Sequence, residues 1–345
     1  MTTVFKPSLA TTGIGSVPFS NPDEGVSFLL NAGLSMPFWP QLPKRSFCDE
    51  MIPQYSEGMP CVRVEPEQER IQFYPEHRAV ELEEFYTKFL AEDPSLFPIS
   101  NEYASGLYAF LRMAAGRTWP VVKGHTTGPI TFCTGIYDAD KNPLYSDADL
   151  RDAAVKALVR KVQWQIQCLK PLATERVLIF VDEPVLAAYG SSTYVYVSEE
   201  AVVEMLGEVF GAITEAGAVS GIHVCGNSDW GMIVRSGVQV VNFDAYQYGS
   251  SISLYANDIK TLFERGGSIA WGIVPTTTAV NKETAQSLAN LLQTCFDGLT
   301  QKGISKDLLR ERAIITPSCG TGSLAPDVAK RVFDLLAQVQ KLHLG

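Results

Sequence analysis

The sequence predicts an α/β fold of the (β/α)8 or TIM-barrel type, in one domain over residues 1–345. Eight short β-type apolar runs alternate with stretches of helical periodicity along most of the chain. The 345 residues fit one barrel of about 250 residues plus insertions, and no repeat, low-complexity stretch or composition shift marks a second domain. Acids, hydroxyls and soft ligands also collect just after the predicted strands, the end at which such barrels carry their chemistry.

The first two strands are read at 11–17 and 36–41. Residues 42–78 then interrupt the alternation with Pro43, Pro53, Pro60, Pro66 and Pro75. The short runs at 61–64 and 71–74 predict a hairpin inserted after the second strand, with Phe47, Met51, Ile52, Tyr55 and Phe73 available for burial. A helix follows over 81–90, with Leu82, Phe85, Tyr86, Phe89 and Leu90 on one face. After the third strand at 119–124, Ser146 with Asp149 three residues on predicts the capped start of a long helix. Strands four to eight are placed at 177–181, 220–224, 239–243, 268–273 and 313–316. The last helix begins at Pro326, whose missing N–H costs nothing in a first turn.

Composition narrows the function classes. Hydrophobic residues make up 46% and charged residues 19% of the chain, which is a globular balance. A formal net charge of −10 argues against a nucleic-acid or anionic-membrane partner, whose sequence-independent attraction is cationic. No apolar run approaches the roughly 18 residues of a membrane span. Residues 1–9 lack the apolar core of a signal peptide, so a cytoplasmic protein is expected. Seven scattered cysteines without a CxxC are then expected as reduced thiols, any special ones being ligands or nucleophiles.

The strand ends carry distinctive residues. The first is followed by Gly15-Ser16, the third by His125-Thr126-Thr127-Gly128-Pro129 and the fourth by Asp182-Glu183-Pro184. The fifth ends in His223-Val224-Cys225, the sixth in Asp244 and the eighth in Ser318-Cys319-Gly320. His223 and Cys225, two apart on a strand, point the same way. Alone, such a pair reads as a small buried residue beside a hydrogen-bonded imidazole. Cys319, at the end of another strand, makes it a Cys2His set, which binds zinc and leaves a fourth position for substrate. Zn²⁺ with two thiolates and a neutral imidazole is formally uncharged, a poor polariser of carbonyls. It does deprotonate a coordinating thiol, whose free pKa is about 8.5. The set therefore points to thiol alkylation rather than hydrolysis. His125 reads as a substrate contact, a residue standing behind one, or a hydrogen-bonded rim histidine, and the Trp39 and Tyr55 region as a lid or wall of the site or as plain packing.

Taken together, His223-x-Cys225, Pro317-Ser318-Cys319-Gly320, Ile14-Gly15-Ser16, Thr127-Gly128-Pro129-Ile130-Thr131 and Asp182-Glu183-Pro184 resemble, in order, the catalytic domain of cobalamin-independent methionine synthase. More broadly, the chain resembles the barrel superfamily shared with methylcorrinoid:thiol methyltransferases and uroporphyrinogen decarboxylase. The resemblance implies Zn²⁺ on His223, Cys225 and Cys319. The family's fourth ligand, a Glu, is replaced by Asp244, one methylene shorter, which would reach the metal directly, reach it through water, or stand behind a ligand. Homocysteine would be held by Ile14 and Ser16 at its carboxylate and by Asp182 at its ammonium, with Glu57 as a second acid. Without the resemblance, Asp182 reads as a helix N-cap and Ser16 as a turn residue.

Two departures concern the methyl donor. The folate-dependent enzyme is about twice as long, and it carries a catalytic His after the seventh strand; the stretch here is Gly272-Ile273-Val274-Pro275-Thr276-Thr277. A folate nitrogen leaves best when protonated, whereas a corrinoid leaves as Co(I) without an acid. The donor expected is therefore a methylcorrinoid, free or carried by a corrinoid protein. The competing expectations are a uroporphyrinogen decarboxylase-like enzyme, which needs a cationic pocket, and a non-catalytic zinc- or corrinoid-binding subunit.

Overall fold

The computed structural model describes residues 4–344. Its strands are β1 (Ala10–Thr11), β2 (Val62–Glu65), β3 (Arg70–Phe73), β4 (Trp119–Thr127), β5 (Ala173–Asp182), β6 (Val219–Val224), β7 (Val240–Phe243), β8 (Ser268–Val274) and β9 (Ala313–Pro317). Seven of them form one sheet in the order β1-β9-β8-β7-β6-β5-β4, every pair parallel. Helices lie between successive strands, so the sheet curls into an α/β barrel-type fold. Both faces of its strands are covered, which is why they read as nearly unbroken apolar runs. Along β5, Leu178 and Phe180 join a small cluster with Ile14, Val121, Val240 and Ile314, while Ile179 and Val181 pack in the large core shared with the helices. This alternation assigns one face to the barrel interior and the other to the helical layer.

The eighth stave differs from the expected strand. Residues 36–41 lie between the sheet's two edges without forming a regular ladder. On one side Met36 N donates to Thr11 O (2.9 Å), Gln41 N to Gly15 O (3.0 Å) and Val17 N to Gln41 O (3.0 Å). On the other, Lys123 N donates to Pro37 O (2.8 Å). Pro37 and Pro40 have no N–H to donate, so this stave is tied at points. The first strand is likewise shorter than the expected 11–17: only Ala10 and Thr11 are in register with β9.

The predicted insertion is present. β2 and β3 pair antiparallel from Val62↔Phe73 to Glu65↔Arg70. The same region also holds a helix the sequence reading lacked, Met51–Ser56, preceded by a 3-10 turn at Phe47–Asp49. Tyr55 and Phe73 are buried there. The long helix is Ala148–Leu169, and its cap is Asp147 rather than Ser146: the Asp147 carboxylate accepts from Asp149 N and Leu150 N, both at 3.1 Å. Ser146 instead closes the 3-10 turn Leu144–Ser146 ahead of it. The final helix runs Pro326–Leu344. Among the described residues, no helix is long and apolar enough to cross a membrane.

Candidate metal centre and substrate cavity

Strand register aligns the centre. Asp182 on β5 pairs with His223 on β6, which pairs with Asn242 on β7, so the three stand in a row near the C-terminal ends of adjacent strands. Cys225 follows just beyond β6. Cys319 comes from the loop after β9, where Ser318 N donates to Val274 O (2.8 Å) and Ser318 Oγ accepts from Thr276 N (3.1 Å). The structure thus brings together His223, Cys225 and Cys319, with one ligand atom of each within 4.8 Å of the others.

These spacings can be compared with a metal set. A tetrahedral zinc with bonds of about 2.3 Å to sulfur and 2.0 Å to nitrogen needs sulfurs about 3.8 Å apart and sulfur about 3.5 Å from nitrogen. Cys225 Sγ and Cys319 Sγ are 3.7 Å apart, and Cys225 Sγ is 3.4 Å from His223 Nε2. The donor set fits.

The imidazole is oriented from behind. Asn242 Nδ2 donates to Ala270 O and to Thr316 Oγ1, both at 2.9 Å, which leaves Asn242 Oδ1 to accept from His223 Nδ1 at 2.5 Å. With the proton on Nδ1, Nε2 presents its lone pair toward the two sulfurs. The thiols divide their roles. The hydrogen bond between Cys319 and Cys225, with help from His223, holds the Cys319 thiol well below its ordinary range; Cys225 is driven up by that same bond and by burial.

A cavity of about 350 Å³ opens beside the three ligands, lined also by Ile14, Gly15, Ser16, Met51 and Asp182. Asp182 is buried, and its Oδ1 has no hydrogen-bond partner. Burial pushes its carboxyl above the ordinary range, opposed by His223 and Lys123. A buried carboxylate on the lining of a cavity is a place for a donor cation such as an ammonium. Ser16 is stitched to the loop after β9: its carbonyl accepts from Thr321 N (2.9 Å) and its Oγ from Gly322 N (3.2 Å). Gly320 permits this approach, since a Cβ there would lie 2.2 Å from Ser16 Oγ.

The other expected residues fall elsewhere. Asp244 caps its own short helix, with Oδ1 accepting from Gln247 N (2.9 Å) and Oδ2 from Gln247 Nε2 (2.8 Å), and it is outside the three-residue cluster. Glu57 accepts from Ser100 N (2.7 Å) and lines a separate cavity with Lys161; the acid of that loop on the ligand-lined cavity is Glu50. His125, Trp39 and Tyr55 pack against one another. The Trp39 ring stacks on His125 with centroids 4.0 Å apart, and the Tyr55 hydroxyl donates to His125 O at 2.5 Å. All three are buried. Glu183 joins two of the sequence motifs: its carboxylate accepts from Ile130 N and Thr131 N, both at 2.8 Å, at the start of the helix Pro129–Gly135. A larger cavity of about 740 Å³ lies near the N-terminal strand ends, under residues 4–7, and carries neither cysteine nor histidine.

Sequence reading missed Asn242, Thr316 and Lys123. The available signal was a polar residue inside an apolar strand run, as in Val240-Val241-Asn242-Phe243 and Val121-Val122-Lys123.

No protein-family model and no curated protein matches the chain. Among solved structures it is similar to a B12-independent methionine synthase from a Shewanella species in complex with selenomethionine (14% identity, 68% of this chain and 64% of that one, TM-score 0.48). It is also similar to a 3-keto-D-glucoside 4-epimerase from E. coli (12% identity, 75% and 94%, TM-score 0.38). A third is a β-glucosidase from Pyrococcus furiosus (10% identity, 69% and 59%, TM-score 0.33). The chain spans less than two thirds of the methionine synthase structure.

Proposed function

We propose that this chain is a zinc-dependent methyltransferase that methylates the thiol of homocysteine, with a methylcorrinoid rather than a methyl-folate as donor. The observation that carries the reading is the metal-type spacing of His223, Cys225 and Cys319 at the wall of a cavity that Asp182 and the Ile14–Ser16 turn also line. These three residues would hold the zinc, which when bound keeps an incoming thiol ionised at neutral pH. Asn242 fixes the tautomer that exposes Nε2. The Asp182 carboxylate takes the substrate ammonium, and the Ile14–Ser16 turn faces the substrate carboxylate. Held at both ends, the sulfur attacks the methyl carbon in line: the S–C bond forms, the C–Co bond breaks, and its electron pair stays on cobalt as Co(I). The thiol proton leaves to solvent on binding. No histidine other than His223 lines the cavity, and this donor needs no acid. The absence of Lys and Arg from the lining weighs against a tetrapyrrole carboxylate as substrate.

The test is zinc content together with calorimetric titration of homocysteine and of simpler thiols in two buffers of different ionisation heat. Zinc near one per chain and proton release on homocysteine binding are expected, followed by thiol-dependent demethylation of methylcobalamin. Cys319→Ser should lose both metal and turnover. A fully metallated, active Cys319→Ser protein would refute the assignment, and transfer from methyltetrahydrofolate but not methylcobalamin would refute the donor.

A further inference from the structure

Lys123 is an anomaly that the methyl-transfer reading does not use. It sits in the middle of β4 and is fully buried, a rare state for a lysine. Its Nζ donates to the Ile14 carbonyl and lies 4.6 Å from the centroid of the Phe180 ring and 5.5 Å from that of Phe38. Two aromatic faces and one carbonyl form its cage. Among the described residues no carboxylate is within ion-pair distance of it, and the charge bearing on it is that of Asp182. Burial pulls its ammonium below the ordinary range and Asp182 opposes the fall.

Its position gives this charge a use. Ile14 opens the turn whose next residues, Gly15 and Ser16, line the ligand-bearing cavity, and no Lys or Arg lines that cavity. A carboxylate approaching the turn therefore meets no cation directly. Behind the turn it meets Lys123, acting through the peptide that joins Ile14 to Gly15. A hydrogen bond from an ammonium to that carbonyl polarises the peptide, making Gly15 N–H a stronger donor. The same bond ties the turn to β4 and so fixes its orientation.

We propose that Lys123 is a positioning residue for the carboxylate end of the amino-acid thiol, acting through the Ile14 carbonyl. The inference rests on the homocysteine reading and adds the source of selectivity for an α-carboxylate.

The experiment compares homocysteine with its decarboxylated analogue, aminopropanethiol, on the zinc-loaded protein. Both carry the sulfur and the ammonium; one lacks the carboxylate. The wild-type protein should bind homocysteine more tightly. Lys123→Met, similar in reach and uncharged, should lower that preference by about tenfold or more while leaving aminopropanethiol affinity and zinc content unchanged. Equal weakening of both thiols would mark a merely structural role and overturn the proposal, as would an unchanged preference. Lys123→Gln supplies a second variant, retaining a donor without the charge, and should show the same selective loss. If neither variant folds, a spectrum of nitrogen-labelled lysine in the wild-type protein decides. Homocysteine should displace the buried Nζ signal and aminopropanethiol should not; equal displacement, or none, overturns the role. A wild-type protein that loads zinc but binds neither thiol defeats the homocysteine reading itself, a result distinct from every outcome above.

Discussion

Replacing Asn242 by leucine tests the metal centre from behind. The side chain is fully buried and makes three hydrogen bonds, at 2.5 Å to His223, 2.9 Å to Ala270 and 2.9 Å to Thr316. Leucine keeps the volume and removes all three. Each is worth about 1 kcal/mol net, and the His223 Nδ1–H left unpaired in the core costs roughly 1–3 kcal/mol. The zinc-free protein should therefore lose about 4–6 kcal/mol of unfolding free energy in urea. Zinc binding should suffer separately, since removing the partner that orients a metal-binding imidazole typically costs about 10–100-fold in affinity. Competition against a chromogenic chelator reads that second quantity directly. Asn242→Asp separates the two effects. An Asp oxygen can still accept from Nδ1–H, so zinc affinity should recover, while the other oxygen now faces the Ala270 carbonyl and stability should stay low. Zinc affinity within about twofold of wild type in a folded Asn242→Leu protein, below the range expected for losing such a partner, would refute the view that this amide sets the imidazole tautomer.

Gly320→Ala should destabilise the chain and loosen zinc together, because its Cβ would fall 2.2 Å from Ser16 Oγ in the loop that delivers Cys319; the cost by urea unfolding should be about 1–3 kcal/mol. Burial pushes the Asp49 carboxyl up to about 7, against the pull of Arg45. Between its ordinary range and that value the native state holds a proton the unfolded chain has released, so this contribution to stability is present at low pH and lost as pH rises through about 7. Asp49→Asn should make the fall in stability from pH 5 to pH 8 smaller, and equal slopes in the two proteins would count against it. Stripping the metal with a chelator should leave far-ultraviolet circular dichroism unchanged, because the three ligands sit at strand ends above an extensive core; collapse of the spectrum would show that the site carries the fold.

Much of the architecture was legible because parallel strands covered on both faces announce themselves as short apolar runs. The runs at 119–124, 177–181, 220–224, 239–243, 268–273 and 313–316 all fall inside strands or within a residue of one. The reading weakened where backbone chemistry, not hydropathy, decides. Pro37 and Pro40 turn an apolar run into a stave tied at points, and Asp147 outcompetes Ser146 as a cap although both are good cap residues. At the site, His223, Cys225 and Cys319 were visible through spacing and residue type. Asn242 and Lys123 were not, because their roles depend on what stands beside them across the sheet. Glu57 was assigned to the amino-acid group through its loop, yet that loop turns it toward Ser100. The resemblance put Asp244 where the family's fourth ligand stands, with direct, water-mediated and outer roles open, and its oxygens accept from Gln247 N and Nε2.

The point-tied stave also bears on how the molecule comes together. From β4 to β9 each strand lies beside its sequence successor, so that arc can be laid down in order with modest loop closures. Joining the ring requires the opposite: Ala10 must find Ile314, and Thr11 must find Ile315, across most of the chain. His223, Cys225 and Cys319 all belong to the sequential arc or the loops leaving it, whereas Ile14 and Ser16 arrive with the joint. Topology thus lets His223, Cys225 and Cys319 come together before Ile14 and Ser16 reach them.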